Sequence, residues 1–228
     1  MKVIGGIFHR AGKIVSYNPI QIPRIDEMEH YDSIFTEMNV RDGGLVRLVA
    51  AMSLLKPATM WTTSVPSPDD FAVMLLHGVF PMAPSPRGDH SLGLEGLAQY
   101  LEFGPMLRAL QGRIWRLEPH AIHATALNGS RDVAANLFDV PDGSRLAVVA
   151  MLGSVGATNI RTAADDDPTA TNPVYVNVTL GNGGGGGSRC EVLQVGRWSK
   201  WTPVAGSAGG GGVIRIPVAS NIAMLRIK

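Results

Sequence analysis

Hydrophobic and polar positions follow a period that changes near the middle of the chain. In the first part, short apolar runs alternate with segments whose apolar residues recur at helical spacing. Residues 33–38 predict a buried strand that leads into the carboxylate of Glu37, residues 45–56 predict a helix, and residues 58–65 predict a second strand. This alternation of strand and helix is typical of parallel βαβ units.

Helix signals continue beyond the second strand. Ser67, followed by proline, predicts an N-cap with proline in the first turn, and the helix is expected to run to about Val79. Residues 82–93 then predict a long loop, and residues 94–110 predict another helix that stops at Gly112. At the N-terminal end, the short apolar runs at residues 2–9 and 13–17 predict two strands.

From residue 113 onward the pattern changes to short strands separated by turns. Strands are predicted at residues 114–126, 133–140, 145–152, 173–180, 190–195, 198–204, 213–218 and 221–227. Pro141-Asp142-Gly143-Ser144 predicts a hairpin turn between two of them. The sequence therefore predicts an α/β segment over residues 1–112 and an all-β antiparallel sandwich over residues 113–228.

Composition narrows the classes of function. Hydrophobic residues make up 45% of the 228 residues and charged residues 17%, so the chain can bury a core. The formal net charge of +1 predicts neither a nucleic acid partner nor an anionic membrane partner. No apolar run approaches the ~20 residues that span a bilayer, and no signal peptide is visible. Cys190, the single cysteine, rules out an internal disulfide and a cysteine-based zinc site. No cofactor is predicted.

A family resemblance lies between residues 31 and 152. The segments that carry it are Gly78-Val79-Phe80-Pro81, residues 84–90, Tyr100, Gly104-Pro105-Met106-Leu107, Gly112-Arg113-Ile114-Trp115, Glu118-Pro119-His120 and Asn136-Leu137-Phe138 with the hairpin turn that follows. Together they resemble the C-terminal end of large bacterial glycoside-hydrolase-like proteins, in which a (β/α)8 catalytic barrel precedes a β-sandwich.

The resemblance implies a partial barrel. A complete barrel takes ~250 residues, and the α/β segment here is far shorter. It therefore implies the end of a (β/α) barrel followed by its sandwich, a carbohydrate ligand, and a partner that is either the missing barrel part or a second copy of the chain. A partial barrel exposes strand edges, which invites association.

Carboxylates are the groups that glycoside hydrolysis requires, and barrel enzymes place them at the carboxyl ends of strands. Glu37 fits that location and is the candidate catalytic residue. Its alternative role is structural, as a cap near Asp42 or a partner of Arg41. Asp32 precedes the strand and is expected at the opposite end. Asp89 lies in the predicted loop after a helix, which a barrel would place on its non-catalytic face.

Four further residues are candidates for binding a sugar. Arg87, Asp89 and His90 occupy a polar, glycine-containing loop, for which a solvated turn is the alternative. Trp61 follows a barrel-like strand and can either stack on a sugar ring or pack in the core. The function predicted is that of the C-terminal portion of a glycoside-hydrolase-like protein, inactive as an isolated chain. A non-catalytic glycan-binding or structural sandwich module is the alternative.

Other chemistry has less support. His120 and His123 alternate on one strand face, but no third metal ligand is evident, so no metal is predicted. The aromatic residues Trp198, Trp201 and Tyr175 predict either a sugar platform or core packing. Cys190 lies in an apolar strand and is interpreted as a small buried hydrophobe. No G-x-S-x-G motif supports serine hydrolase chemistry.

Overall fold

A computed structural model describes most of the chain. The described residues are 2–18, 30–37, 43–52, 56–61, 66–82, 94–111, 114–115, 121–127, 132–152, 174–181, 189–204 and 212–228. The fold is mixed α/β, and most of its elements are strands. The chain divides into two compact units, Met1–Gly96 and Leu97–Lys228. Gly112 lies outside the described residues, and the predicted domain boundary there stays a prediction.

The first unit is built on a four-stranded parallel sheet and is called the parallel-sheet unit below. Its elements are α1 (Lys2–Arg10), β1 (Ser16–Tyr17), β2 (Ser33–Thr36), α2 (Gly43–Met52), β3 (Ala58–Met60), α3 (Pro68–Leu76) and β4 (Val79–Pro81). The strand order is β1-β2-β3-β4, and every neighbouring pair is parallel. The predicted parallel βαβ units are therefore confirmed.

The two faces of this sheet differ in burial. Consecutive right-handed crossovers put α2 and α3 on one face of such a sheet. Ile34, Thr36 and Met60 alternate onto a face that is fully buried, whereas Phe35 and Thr59 alternate onto a face that is only half-buried. Helices that pack on a parallel sheet shield it from water, and the fully buried set includes one polar residue, Thr36.

Local signals explain where α3 begins and ends. Oγ of Ser67 accepts a hydrogen bond from the backbone N–H of Asp70 at 3.2 Å, and the Asp70 carboxylate accepts one from the Ser67 N–H at 2.8 Å. This capping box confirms the predicted N-cap. The predicted end of the helix at Val79 is wrong. Gly78 has φ +69°, which turns the chain so that Val79 begins a strand.

The strand predicted at residues 2–9 is also wrong, because these residues form helix α1. Gly5 and Gly6 lie within this helix. In the structure, a Cβ on Gly5 would lie 2.7 Å from the carbonyl oxygen of His30. Glycine therefore lets the helix approach the backbone of a distant segment.

The second unit consists of one helix and two antiparallel sheets and is called the antiparallel-sheet unit below. Its elements are α4 (Leu94–Leu110), whose first three residues belong to the parallel-sheet unit, β5 (Ile114–Trp115), β6 (Ile122–Ala126), β7 (Asp132–Asp139), β8 (Arg145–Leu152), β9 (Val174–Leu180), β10 (Cys190–Gln194), β11 (Thr202–Pro203), β12 (Val213–Val218) and β13 (Ile222–Ile227). Six strands pair in the order β11-β10-β13-β8-β7-β5, and three pair as β12-β9-β6. Each predicted strand of this region overlaps at least one observed strand.

One hydrophobic cluster contains residues from both antiparallel sheets. Ala147, Val149 and Leu225 come from the six-stranded sheet, and Val176 and Ile216 come from the three-stranded sheet. All five are completely buried. Alternate residues of each strand thus face a shared core, as expected for sheets that pack face to face.

The predicted hairpin between β7 and β8 is confirmed. The Val140 N–H donates to the Ser144 carbonyl oxygen at 3.0 Å, and Gly143 has φ +82°. Oδ1 of Asp142 accepts from the N–H of Ser144 at 3.0 Å and from its Oγ at 2.6 Å.

Across the described residues, no helix is long and apolar enough to cross a membrane.

Candidate functional site

The carboxyl ends of the parallel strands meet at one edge of their sheet. Thr36 of β2 pairs with Met60 of β3, which pairs with Pro81 of β4. The ladder continues one residue further, because the N–H of Trp61 donates to the Thr36 carbonyl oxygen at 2.8 Å. Residues that follow these strands therefore lie side by side at the edge where α/β proteins place their ligand sites.

Glu37 lies at this edge, directly after β2. Its side chain is exposed, and Oε1 accepts a hydrogen bond from Nδ2 of Asn18 at 3.2 Å. Asn18 follows β1, the neighbouring strand. The position expected for Glu37 is thus observed, and its catalytic role stays a prediction. Its alternative partners, Arg41 and Asp42, lie outside the described residues.

Trp61 lies at the neighbouring position, directly after β3. Because Thr36 pairs with Met60, Glu37 and Trp61 follow at the same level on adjacent strands, which are about 4.8 Å apart. The alternation of both strands places them on the half-buried face. The structure thus brings a carboxylate and a half-buried indole to one edge of the sheet. The role of Trp61 in stacking on a sugar stays a prediction.

Asn18 is the residue of this edge that sequence reasoning missed. Its amide donates to Glu37 and so limits the conformations of that carboxylate. The signal in the sequence is a polar residue directly after the short run at residues 13–17. It becomes informative only once β1 and β2 are known to be neighbours.

Arg87, Asp89 and His90 lie outside the described residues, so their predicted sugar contacts are untested. The reason for placing Asp89 on the non-catalytic face is nevertheless wrong. That segment does not follow a helix, because β4 lies between α3 and residue 82. The N–H of Met82 donates to the Met60 carbonyl oxygen at 2.8 Å, so the chain leaves β4 at the same edge as Glu37.

Asp32 lies at the opposite end of β2, as expected. Its Oδ2 accepts from the backbone N–H of Val15 at 2.6 Å and contacts Nε2 of His9 at 3.0 Å. The Val15 hydrogen bond, followed by the His9 hydrogen bond, lowers the pKa of the Asp32 carboxyl below its usual value. These contacts join α1 and β1 to β2, which is a structural role.

Metal binding finds no support in the described part of the chain. No group of three or more histidine, cysteine, aspartate or glutamate side chains is placed there to hold a metal ion. His123 is exposed on β6, and His120 lies outside the described residues. Cys190 is buried in the shared core, and burial raises the pKa of its thiol.

Each aromatic residue of the suggested platform has an arginine over its ring. Arg197 lies 4.9 Å from the ring centroid of Trp198, Arg226 lies 4.4 Å from that of Trp201, and Arg215 lies 4.3 Å from that of Tyr175. Trp198 is 77% exposed and Tyr175 is 41% exposed, so neither is a core residue. An arginine at this distance interacts with the ring face by cation–π attraction.

Comparison with known proteins bears on the fold. No protein-family model and no curated protein matches the chain. Among solved structures it is similar to a GH27 β-L-arabinopyranosidase from Geobacillus stearothermophilus, with 9% identity and a TM-score of 0.51 over 100% of this chain and 53% of that chain. A GH30 endoxylanase from Clostridium papyrosolvens C71 matches with 12% identity and a TM-score of 0.48 over 97% of this chain and 58% of that one.

The first of these similarities shows that the fold of the chain is glycoside-hydrolase-like. The TM-score of the second is too low to add to it. At 9% identity the likeness concerns the fold alone, and one fold supports many activities. The chain spans about half the length of the solved enzymes that it matches.

Proposed function

We propose that the chain is the C-terminal portion of a glycoside-hydrolase-like protein and binds carbohydrate at the carboxyl edge of the parallel sheet. In this proposal the parallel-sheet unit is the end of a (β/α)8 barrel, and the antiparallel-sheet unit is the sandwich that follows it. The observation that carries it is the placement of Glu37 beside Trp61 at that edge. The glycoside-hydrolase-like fold supports it.

The chemistry of the pair suits a sugar. An exposed carboxylate accepts hydrogen bonds from sugar hydroxyl groups, and the flat face of an indole packs against the C–H groups of a pyranose ring. Glu37 accepts one hydrogen bond from Asn18 through Oε1, and among the described residues no partner of Oε2 is seen. Trp61 is half-buried, so the surrounding chain holds its ring while part of it stays accessible.

Hydrolysis requires more than this edge offers. Glycosidases use two carboxyl groups, about 5–5.5 Å apart for retention and about 6.5–9.5 Å apart for inversion. Among the described residues at the carboxyl edge, Glu37 is the only carboxylate. We therefore propose that the isolated chain binds sugar without cleaving it. The second carboxylate would come from the missing barrel part, from a second copy, or from Asp89.

A panel of nitrophenyl α- and β-glycosides tests this proposal. Wild-type protein and Glu37→Gln are compared for release of nitrophenol. The substitution keeps the oxygen that accepts from Asn18 and removes the charge, so the fold is expected to be unchanged. The expected result is turnover no faster than buffer for both proteins. The matched control is Asp132→Asn, which neutralises an exposed carboxylate on β7.

Two outcomes would contradict the proposal that the isolated chain does not cleave sugar. Turnover by the wild type that disappears only in Glu37→Gln would show that the chain is active and that Glu37 is a catalytic residue. Turnover that persists in Glu37→Gln would point to a contaminant or to another site, and Asp89 would be the next residue to change.

The second candidate function is a non-catalytic module that binds glycan or supports a neighbouring domain. The observation that favours it is the core shared by the two antiparallel sheets, which is independent of the parallel sheet. Saccharide binding that survives both Glu37→Gln and Trp61→Ala would favour this candidate over the first.

A further inference from the structure

The antiparallel-sheet unit contains an open cavity of ≈ 490 Å³. It lies where β11, an edge strand of the six-stranded sheet, comes close to β12, an edge strand of the three-stranded sheet. Thr202 and Pro203 contribute to one wall, and Arg215 and Pro217 contribute to the other, with Tyr175 beside them. Its volume is within the range of small-molecule sites.

Both walls are fixed by contacts inside the unit. Oγ1 of Thr202 donates to the Val192 carbonyl oxygen at 3.2 Å, which holds β11 against β10. Gln194 of β10 bridges the two sheets, because its amide donates to the Pro217 carbonyl oxygen and accepts from the Ala219 N–H at 3.2 Å. A cavity between bridged edges is largely preformed, so a ligand orders little on binding.

Arg215 supplies the charge of the cavity. Its side chain is exposed, and its guanidinium lies 4.3 Å from the centroid of Tyr175. Within the described part of the chain no carboxylate forms an ion pair with it. The other stacked arginine of the sheets, Arg226, donates to the Glu191 carboxylate at 2.7 Å. Arg215 is therefore a positioned guanidinium that no carboxylate of the described residues engages.

Apart from Arg215 and Thr202, the lining residues carry largely apolar side chains. The rings of Pro203 and Pro217, the side chain of Val192 and the ring of Tyr175 present surfaces on which the C–H face of a pyranose can pack. A guanidinium binds a carboxylate through two parallel hydrogen bonds. Together these features select a ligand that has a saturated ring and a carboxylate.

We propose that this cavity is a binding site for a hexuronic acid residue, with Arg215 paired to its carboxylate and the prolines packed against its ring. The site lies wholly within the antiparallel-sheet unit and shares no residue with the Glu37 edge. The hexuronic acid proposal can therefore succeed or fail independently of the proposal that carbohydrate binds at the Glu37 edge.

The test is an NMR titration of the full chain with three probes at matched ionic strength. Glucuronate carries the ring and the carboxylate, methyl glucoside carries the ring alone, and benzoate carries a carboxylate on a flat aromatic ring. Glucuronate is expected to bind in the millimolar range and to shift the amide signals of Thr202, Val204 and Arg215. The other two probes are expected to bind at least tenfold more weakly.

Arg215→Gln is expected to weaken glucuronate binding at least tenfold, and Arg215→Lys to restore part of the loss. The matched control is Arg197→Gln, because Arg197 also stacks on an exposed aromatic ring but does not line the cavity. Both arginines are exposed, so folding is expected to persist, and the unchanged remainder of the spectrum confirms it. The proposal is overturned if Arg215→Gln binds as the wild type does, if either of the other probes binds as tightly as glucuronate, or if shifts map elsewhere.

Discussion

The longest strands of the two units differ in length. Described strands of the parallel sheet are two to four residues long, whereas β7 and β8 of the antiparallel sheets each have eight. The antiparallel sheets also share one core. Large apolar side chains are exposed in both units, among them Val3 and Ile7 of α1 and Trp198 and Val213 of the antiparallel-sheet unit.

The unit with the longer strands is therefore expected to be the more stable one, whereas the candidate site lies in the other unit. Long antiparallel ladders over a common core are expected to unfold as one cooperative unit. Short parallel strands contribute few ladder hydrogen bonds, but their carboxyl ends bring side chains from distant parts of the chain to one edge. Here that edge holds Glu37 and Trp61. The comparison predicts a stable antiparallel-sheet unit and a less stable parallel-sheet unit that carries the candidate site.

The largest expected effect is in hydrogen exchange. Backbone amides of β8 and β13, which pair with each other along six residues, are expected to exchange at least about a thousandfold more slowly than those of α1 and β1. The measurement is native-state exchange on the full chain, followed by mass spectrometry. Equal protection in both regions would contradict the expected difference in stability between the two units and would count against a partial barrel.

Core truncation is expected to have the next largest effect. Leu225→Ala removes a completely buried side chain from the cluster shared by both antiparallel sheets, and we expect a loss of about 2–5 kcal/mol in the free energy of unfolding. The matched control is Ile7→Ala in α1, where the side chain is 52% exposed and a change within about 0.5 kcal/mol is expected. Urea titrations measure both. Similar losses would show that α1 is covered in solution.

Two adjacent glycines of α1 are expected to respond differently to substitution by alanine. Alanine raises helix propensity by about 1 kcal/mol at either position. Only at Gly5 does the added Cβ meet backbone, 2.7 Å from the His30 carbonyl oxygen; at Gly6 the nearest atom is Nη1 of Arg10 at 3.5 Å. Gly6→Ala is therefore expected to stabilise the parallel-sheet unit and Gly5→Ala to destabilise it, as measured by hydrogen exchange of α1 and β1. The same sign for both variants would contradict the observed packing.

The smallest expected effect is a pH dependence of the antiparallel-sheet unit. Glu191 contacts Lys228 at 2.9 Å and Arg226 at 2.7 Å, and the Lys228 hydrogen bond, followed by that of Arg226, lowers the pKa of its carboxyl. A lowered folded-state pKa gives stability that is present above the unfolded value of about 4.3 and is lost as the pH falls below it.

Urea unfolding at pH 6 and pH 3 measures this contribution. The difference in stability between the two pH values is expected to be smaller in Glu191→Gln than in the wild type. Asp132→Asn, at an exposed carboxylate, is the control and should leave the difference unchanged. If both variants behave alike, the Glu191 ion pairs do not stabilise the folded state.

Much of the antiparallel-sheet unit could be predicted because its signals are local. Strands β8 and β12 have the predicted bounds, and the turn between β7 and β8 uses glycine where φ is positive. The two misses in the parallel-sheet unit have different causes, one local and one nonlocal. Strand β4 has three residues, too few to show a period, and α1 is set by its approach to His30.

The candidate site residues likewise could be predicted only where their signals are local. Glu37 was found because its position depends only on where β2 ends. Its contact with Asn18 depends on β1 lying beside β2, and the stack of Arg215 on Tyr175 depends on the pairing of β12 with β9. Side chains that are brought together by strand pairing cannot be predicted from spacing along one segment.

Saccharide binding by Trp61 variants is the decisive test of a carbohydrate site at the carboxyl edge of the parallel sheet. Wild type, Trp61→Ala and the control Trp198→Ala, which removes an exposed indole of the other unit, are titrated with neutral pentose and hexose oligosaccharides by isothermal calorimetry. The account predicts that at least one saccharide binds the wild type and Trp198→Ala equally, and binds Trp61→Ala at least tenfold more weakly. Equal binding by Trp61→Ala, or no binding to the wild type by any saccharide of the panel, would contradict it.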